Sequence, residues 1–389
     1  MVTTHRLSSP NGKAFFRWIL PILLLVLSAL PAGATIKGSC SGCHTMHNSQ
    51  NGSSMNFDDS ATPNAGLLRG TCLGCHAQGG TQALVPIGSD KIPQVMHTDA
   101  TDLAGGNFAF ITGMKGSGAS DSKGHNIAEL TGMDATITGL PGGIQQSFHE
   151  DYIVNTTNLT CAGTNGCHGY RWAGSSFPKG ITGAHHANVD GKLAVADRVG
   201  NSYRFLNGVK GLEDDDWQYT RSSTDHNEYF GRTTPIKLGC SSGTTACHAS
   251  DGSGVKSPDG TISQYCATCH GNFHTIQTDR SSGIGPTAAS PFIRHPTDLV
   301  LPTNGEYSLY TAYNVNVPIA RTGSVPDVPS GAVTPGSDAV ICLSCHVAHA
   351  SDYPDMLRWD YAGACNANTV NTDCGCFTCH TAKDGDSLQ

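Results

Sequence analysis

The chain has 389 residues, of which 38% are hydrophobic and 7% aromatic, with 47 glycines and a formal net charge of −8. Apolar side chains this sparse build only a thin interior at such a length, which excludes an ordinary globular enzyme of two or three domains. The 16 cysteines and 18 histidines are the excess that must take that interior's place, and the acidic balance makes nucleic acid and anionic lipid poor partners.

At the N-terminus Lys13 and Arg17 precede an apolar run over residues 18–30, broken by Pro21, and Ala32-Gly33-Ala34 fits an A-x-A cleavage site. The run of about 13 residues is shorter than the roughly 20 that a spanning helix needs. Residues 1–34 therefore read as a signal peptide, and residues 35–389 as one exported domain with no membrane span. Cleavage removes Arg6, Lys13 and Arg17 and no acid, leaving 20 basic and 31 acidic side chains, about −11. A surface of that sign suits cationic species or basic patches on a partner.

Two C-x-x-C-H segments follow at once, Cys40-Cys43-His44 and Cys72-Cys75-His76. This is the attachment signature of haem c. Two thiols three residues apart lie on one side of a helical turn, where they reach the haem vinyls while the next residue, His, reaches the iron. Disulfides or zinc sites would not demand a His directly after the second Cys. Residues 105–124 are rich in Gly and Ser, without helical periodicity, and predict coil.

The middle of the chain carries two looser versions. Cys161 and Cys167 enclose five residues before His168, and Cys240 and Cys247 enclose six before His248. A longer loop still lets both thiols reach one porphyrin edge, but a small disulfide loop followed by an incidental His fits the same residues. The regular spacing then returns in Cys266-Cys269-His270, Cys342-Cys345-His346 and Cys376-Cys379-His380. Between them, alternation over residues 313–317 ahead of Pro318 predicts a short strand, and residues 326–336 predict coil. Cys365 and Cys374 remain. A disulfide between them is the simplest reading in an oxidising compartment, with Cys374 replacing Cys376 as a thioether the alternative.

Five haems are thus secure and up to seven available. Beyond the seven motif histidines and His5, ten others remain: His47, His97, His125, His149, His185, His186, His226, His274, His295 and His349. Ten candidates for seven second axial positions allow every iron two imidazoles, which leaves outer-sphere electron transfer rather than catalysis at an open iron. His47 and His349 lie three residues after a motif His, and His274 four after. Such a pair shares a helical face and cannot bind one iron, so the second should serve a neighbouring haem. The expected fold is a multihaem cytochrome c: coil-rich, with short helices at the motifs and few strands, organised around a chain of covalently bound haems.

The residues around the motifs, Cys40-Ser-Gly-Cys-His-Thr-Met-His47-Asn48, Lys123-Gly-His125-Asn126-Ile127, Tyr265-Cys-Ala-Thr-Cys-His270, Arg294-His295-Pro296 and Cys342-Leu-Ser-Cys-His-Val-Ala-His349, resemble the multihaem outer-surface cytochromes of metal-reducing bacteria, whose best-known members form extracellular filaments. The resemblance covers the N-terminal and C-terminal thirds; the spacings at Cys161 and Cys240 depart from it. It implies bis-His haems in alternating stacked and T-shaped pairs, and a location at the cell surface or outside the cell, with periplasm the alternative. It also implies electron donors and acceptors that are proteins or extracellular metal oxides, and a homopolymer in which His47 ligates a haem of the adjacent subunit. Electron transfer in extracellular respiration is the expected function, with a reductase of a small oxyanion or nitrogen compound as the competing one.

Overall fold

The computed structural model describes residues 1, 36, 38–130, 159–171, 179–187, 190–194, 198–233, 260–270, 295–366 and 371–381. The motif at Cys240, Cys247 and His248, and the ligand candidates His149 and His274, lie outside these residues.

Where the cysteines are three apart, each motif makes a single helical turn. These turns are Cys40–Gly42, Cys72–His76, Ile262–Ala267, Cys342–Ser344 and Gly375–Thr378. In four of them the His N–H donates to the carbonyl of the first Cys, at 2.9 Å for His44 and 3.0 Å for His270, His346 and His380, so both thiols share one side of the turn. The turns at Cys72 and Ile262 are capped by Thr71 and Thr261, whose hydroxyls accept from the N–H groups of Gly74 and Gln264. The long-spaced motif does not make a helix. Cys161 and His168 lie on two short strands, Thr160–Ala162 and Gly166–His168, because the extra residues between the thiols form a turn closed by the Gly166 N–H on the Gly163 carbonyl at 3.0 Å.

The strands are short. β1 (Ser49–Gln50) and β2 (Ser53–Ser54) form a hairpin through Asn51 and Gly52, both with positive φ, as a two-residue turn requires. β3 (Leu84–Ile87) and β4 (Asp90–Pro93) form a second hairpin, and β5 and β6 are the strands of the long motif. β7 (Gly211–Leu212), β8 (Glu228–Gly231), β9 (Leu299–Val300), β10 (Ala320–Thr322) and β11 (Ala339–Val340) form one sheet in the order β7-β8-β10-β11-β9, parallel only between β8 and β10. Arg321 on β10 is buried between Glu228, at 2.7 Å, and Asp338, at 2.8 Å, and pins these strands together.

Two sequence expectations change. Residues 313–317 make a turn instead of a strand, with the Val317 N–H on the Asn314 carbonyl at 2.9 Å, and pairing begins only beyond Pro318, at Ala320. Within residues 105–124, Ala109–Thr112 forms a helix because Phe108, Phe110 and Ile111 bury into a hydrophobic cluster. Cys365 and Cys374 form a disulfide.

The apolar residues do not gather into one core. They form three small clusters, and each abuts motif cysteines: Tyr203, Tyr229 and Ile341 pack with Cys167 and Cys266, Phe108 and Ile127 with Cys161, and Leu301 and Tyr310 with Cys379. The thiols thus mark the border of the protein's own apolar interior. The described architecture is coil-rich, with short helices at the motifs and small sheets, as the sequence predicts.

Candidate metal-ligand array

Five pairs of imidazoles lie opposite one another at a common spacing. His44 faces His186, His76 faces His185, His168 faces His349, His270 faces His125 and His380 faces His295, with ring centroids 6.1 to 6.2 Å apart. Two imidazoles on opposite sides of one metal ion, each bound at about 2.0 Å with its centroid about 1.1 Å behind the nitrogen, have centroids roughly 6.2 Å apart. Hydrogen-bonded or stacked rings would be closer. Each pair joins one motif His to one His from elsewhere in the chain.

In six of the motif and facing histidines Nδ1 is held by a backbone carbonyl. Nδ1 of His44 donates to the Gly66 carbonyl at 3.1 Å, of His76 to Pro93 at 2.8 Å, of His168 to Arg204 at 2.9 Å, and of His346 to Asp355 at 2.7 Å. His125 and His295 do the same to Ala348 at 2.8 Å and Pro296 at 2.9 Å. A proton held at Nδ1 leaves the lone pair on Nε2, the tautomer that binds iron. Burial favours the neutral form of seven of the histidines. It lowers His76, His168, His295 and His346, takes His125 and His185 down to about 4, and takes His349 down to about 3. A neutral imidazole is the ligating form.

The thiols run in series. Cys75 lies within electrostatic reach of Cys43, Cys72 hydrogen-bonds Cys161, Cys167 lies near Cys269, Cys266 hydrogen-bonds Cys342, and Cys345 lies near Cys376 and Cys379. Burial holds Cys75, Cys345 and Cys379 near 12, so these sulfurs stay protonated. Two of the joints are braced. Between the motifs at Cys161 and Cys266, the Tyr265 hydroxyl donates to the Cys167 carbonyl, and the Arg171 guanidinium lies over the Tyr265 ring at 4.3 Å while donating to Gly166 and Thr268. Between Cys266 and Cys342, the Cys342 N–H donates to the Ser263 hydroxyl at 3.1 Å.

The array fits haem c. Cysteine pairs and imidazole pairs of the right spacing converge at five motifs. His346 faces no imidazole among the described residues, and His349, three residues later, faces His168 instead. His47 is exposed and also unpaired with any described ring. His97 and His226 are fully buried but sit apart from the array. His97 is packed against Asn107 and Asp102, and His226 stacks on Tyr313 at 3.7 Å and contacts Glu228 at 3.4 Å. Sequence reasoning missed the carbonyls that hold Nδ1, since every residue has one and only the fold selects which faces a His. It also missed Arg171 and Tyr265, single residues with no motif of their own.

Comparison with known proteins agrees with this chemistry. A family model described as a doubled CXXCH motif matches residues 333–385. The C-type cytochrome OmcS of Geobacter sulfurreducens is 26% identical, over 87% of this chain and 83% of that protein. Two solved structures of similar coverage are the Outer Membrane Cytochrome S Filament from Geobacter sulfurreducens, 19% identical over 87% of each chain with a TM-score of 0.42, and the OmcS nanowires from the same organism, 20% identical over 88% of each chain with a TM-score of 0.39. The doubled CXXCH motif and the sequence similarity agree with the attachment chemistry of the motifs, and by these comparisons the chain is similar to the C-type cytochrome OmcS.

Proposed function

We propose that this chain is an exported electron-transfer protein of extracellular respiration, carrying electrons through bis-His haems set in series towards metal oxides or other external acceptors. The observation that carries the reading is the set of five imidazole pairs at 6.1 to 6.2 Å, a spacing at which the two rings of each pair would hold one iron between them. Bound haem supplies a one-electron iron couple. The protein's part is to hold each iron between two imidazoles, fix their tautomers and keep neighbouring sites adjacent, so that no position is open to a small substrate. Cys40 and Cys43, Cys72 and Cys75, Cys161 and Cys167, Cys266 and Cys269, Cys342 and Cys345, and Cys376 and Cys379 are the attachment pairs. Cys240, Cys247 and His248 would hold a seventh haem.

His346 lacks a partner among the described residues, and His47 is an exposed imidazole beside Met46, whose side chain is 75% exposed. His47 of one copy therefore completes the His346 site of the next, and the chain forms a homopolymer. Residues 1–34 serve as the signal that exports it.

Intact mass of the purified holoprotein, with electron-spin spectroscopy of its iron, tests the reading. Six or seven covalent haems, all low-spin once polymerised, are expected. Fewer than six, with free thiols or added disulfides at Cys161 and Cys167, would remove that site. A high-spin iron persisting in the assembled protein would overturn pure electron transfer in favour of a reductase.

A further inference from the structure

Five described motif histidines have a fixed Nδ1 partner. His44, His76, His168 and His346 donate to backbone carbonyls, whereas His380 meets a carboxylate, Oε1 of Glu306, at 3.3 Å. The carboxylate is shielded, with the Glu306 side chain 12% and the His380 side chain 25% exposed. Its position is fixed by the short helix Gly305–Leu309, whose next residue, Tyr307, sets its ring edge-on to His380 at 5.2 Å and 76°. One turn of chain thus supplies both the acceptor for Nδ1 and the wall that orients the ring.

An Nδ1–H donated to a carboxylate makes the imidazole more basic than one donated to a carbonyl, and Nε2 becomes a stronger donor to the metal. A stronger donor, with a negative charge close by and little water to screen it, favours ferric over ferrous iron. We propose that Glu306 sets the reduction potential of the haem held by His380 and His295, keeping it below the value a carbonyl partner would give. The inference rests on the haem assignment above. The step it governs is transfer of one electron from the neighbouring haem of the series, during which the Nδ1 proton stays on His380 and no bond is made or broken. Glu306 is a positioning and tuning residue, acting through His380.

The site also carries its own label. The planes of His295 and His380 are 85° apart, against 17° for His44 and His186 and 26° for His76 and His185. Near-perpendicular axial imidazoles give ferric low-spin iron a strongly anisotropic electron-spin signal, and near-parallel ones a rhombic signal, so this haem is followed separately from the first two.

The test is a redox titration of full-length holoprotein monitored by electron-spin resonance, on the wild type, Glu306→Gln and Glu306→Asp. Glu306→Gln keeps an acceptor and removes the charge, and Glu306→Asp keeps the charge and withdraws it from Nδ1. The expected result is an upward shift of the midpoint of the strongly anisotropic signal in both, larger for Gln, with the rhombic signals unmoved. If one variant fails to mature, the other decides. A midpoint unchanged at full haem content, or an equal shift of every haem, overturns the proposal while leaving the assignment standing. A wild-type mass lacking haem at Cys376 and Cys379 overturns the assignment itself.

Discussion

At the scale of single residues, the ligands are held by strained backbone. The carbonyls that receive Nδ1 of His44, His168 and His346 belong to Gly66, Arg204 and Asp355, with φ of 68°, 47° and 59°. In each case the next residue, Leu67, Phe205 or Met356, is also left-handed, and a Leu follows it: Leu68, Leu206 and Leu357 bridge to His44, Gly169 and His346. Two successive left-handed residues turn a carbonyl back towards the imidazole, at a cost of about 1 kcal/mol or more per non-glycine residue. At Asp355 a β-branched side chain fits this region worst. Asp355→Val should lower stability by about 1–2 kcal/mol and loosen His346, while Asp355→Gly should leave the melting temperature equal or higher. Thermal unfolding of the two holoproteins checks this, and a Val variant as stable as the Gly variant would show that the turn carries no strain. None of these turns was legible in the sequence. Their only common letter is a Leu, and Leu is too frequent to mark a turn.

At the scale of elements, the sheet depends on one buried charge cluster. Burial alone would push the Glu228 carboxyl up, but the nearby His226 ring, hydrogen bonds from Arg321 and the Ser330 N–H, and the Arg321 charge outweigh it and leave the group below the usual carboxylate value. A carboxyl whose pKa is lower in the folded chain than in the unfolded one adds stability above the unfolded pKa, and that stability disappears as pH falls through the folded one. The wild type should therefore lose stability as pH drops below about 4.5. Glu228→Gln should already be weakened at pH 7, by about 3 kcal/mol since Arg321 keeps a buried and half-satisfied charge, and should show a shallower acid slope. Denaturant unfolding at pH 7 and pH 4 separates the two, and parallel slopes would remove Glu228 as the source. The elements themselves were partly legible. The C-x-x-C-H turns follow from spacing, whereas the hairpin at Asn51-Gly52 was not read, because its two-residue strands show no alternation. Nor was the helix at Ala109–Thr112, because four residues are too few to show a period and tertiary burial of Phe108 and Phe110 decides it.

At the scale of the whole molecule, the chain buries what it must against something other than itself. Three separate apolar clusters, each ending at motif cysteines, are joined by the ligand array. The identity of the motifs and the supply of ten further histidines were readable from composition. Which histidines pair was not: His97 and His226 match the others in sequence terms, yet Asp102 and Asn107 hold one and Tyr313 and Glu228 the other. The exposed His47, and a His346 that faces no second imidazole among the described residues, make a specific forecast about assembly. His47→Ala should mature with full haem content but fail to elongate, and should show one iron with altered coordination per chain. Electron microscopy and electron-spin spectra of the variant read this out, and filaments of normal length in His47→Ala would assign the contact elsewhere.

His185 and His186 are consecutive residues in the turn Ala184–His186, yet they face different partners, His76 and His44. Adjacent Cα atoms are always about 3.8 Å apart. In the proposed reading, where the two rings serve different haems, the distance between those haems would be gauged by a single peptide link, whatever happens to the long loops on either side. Those loops can lengthen or shorten freely. One residue inserted between the two histidines would then widen the gap between the proposed haem sites and slacken both at once, so this dipeptide would be the ruler of the first step between them.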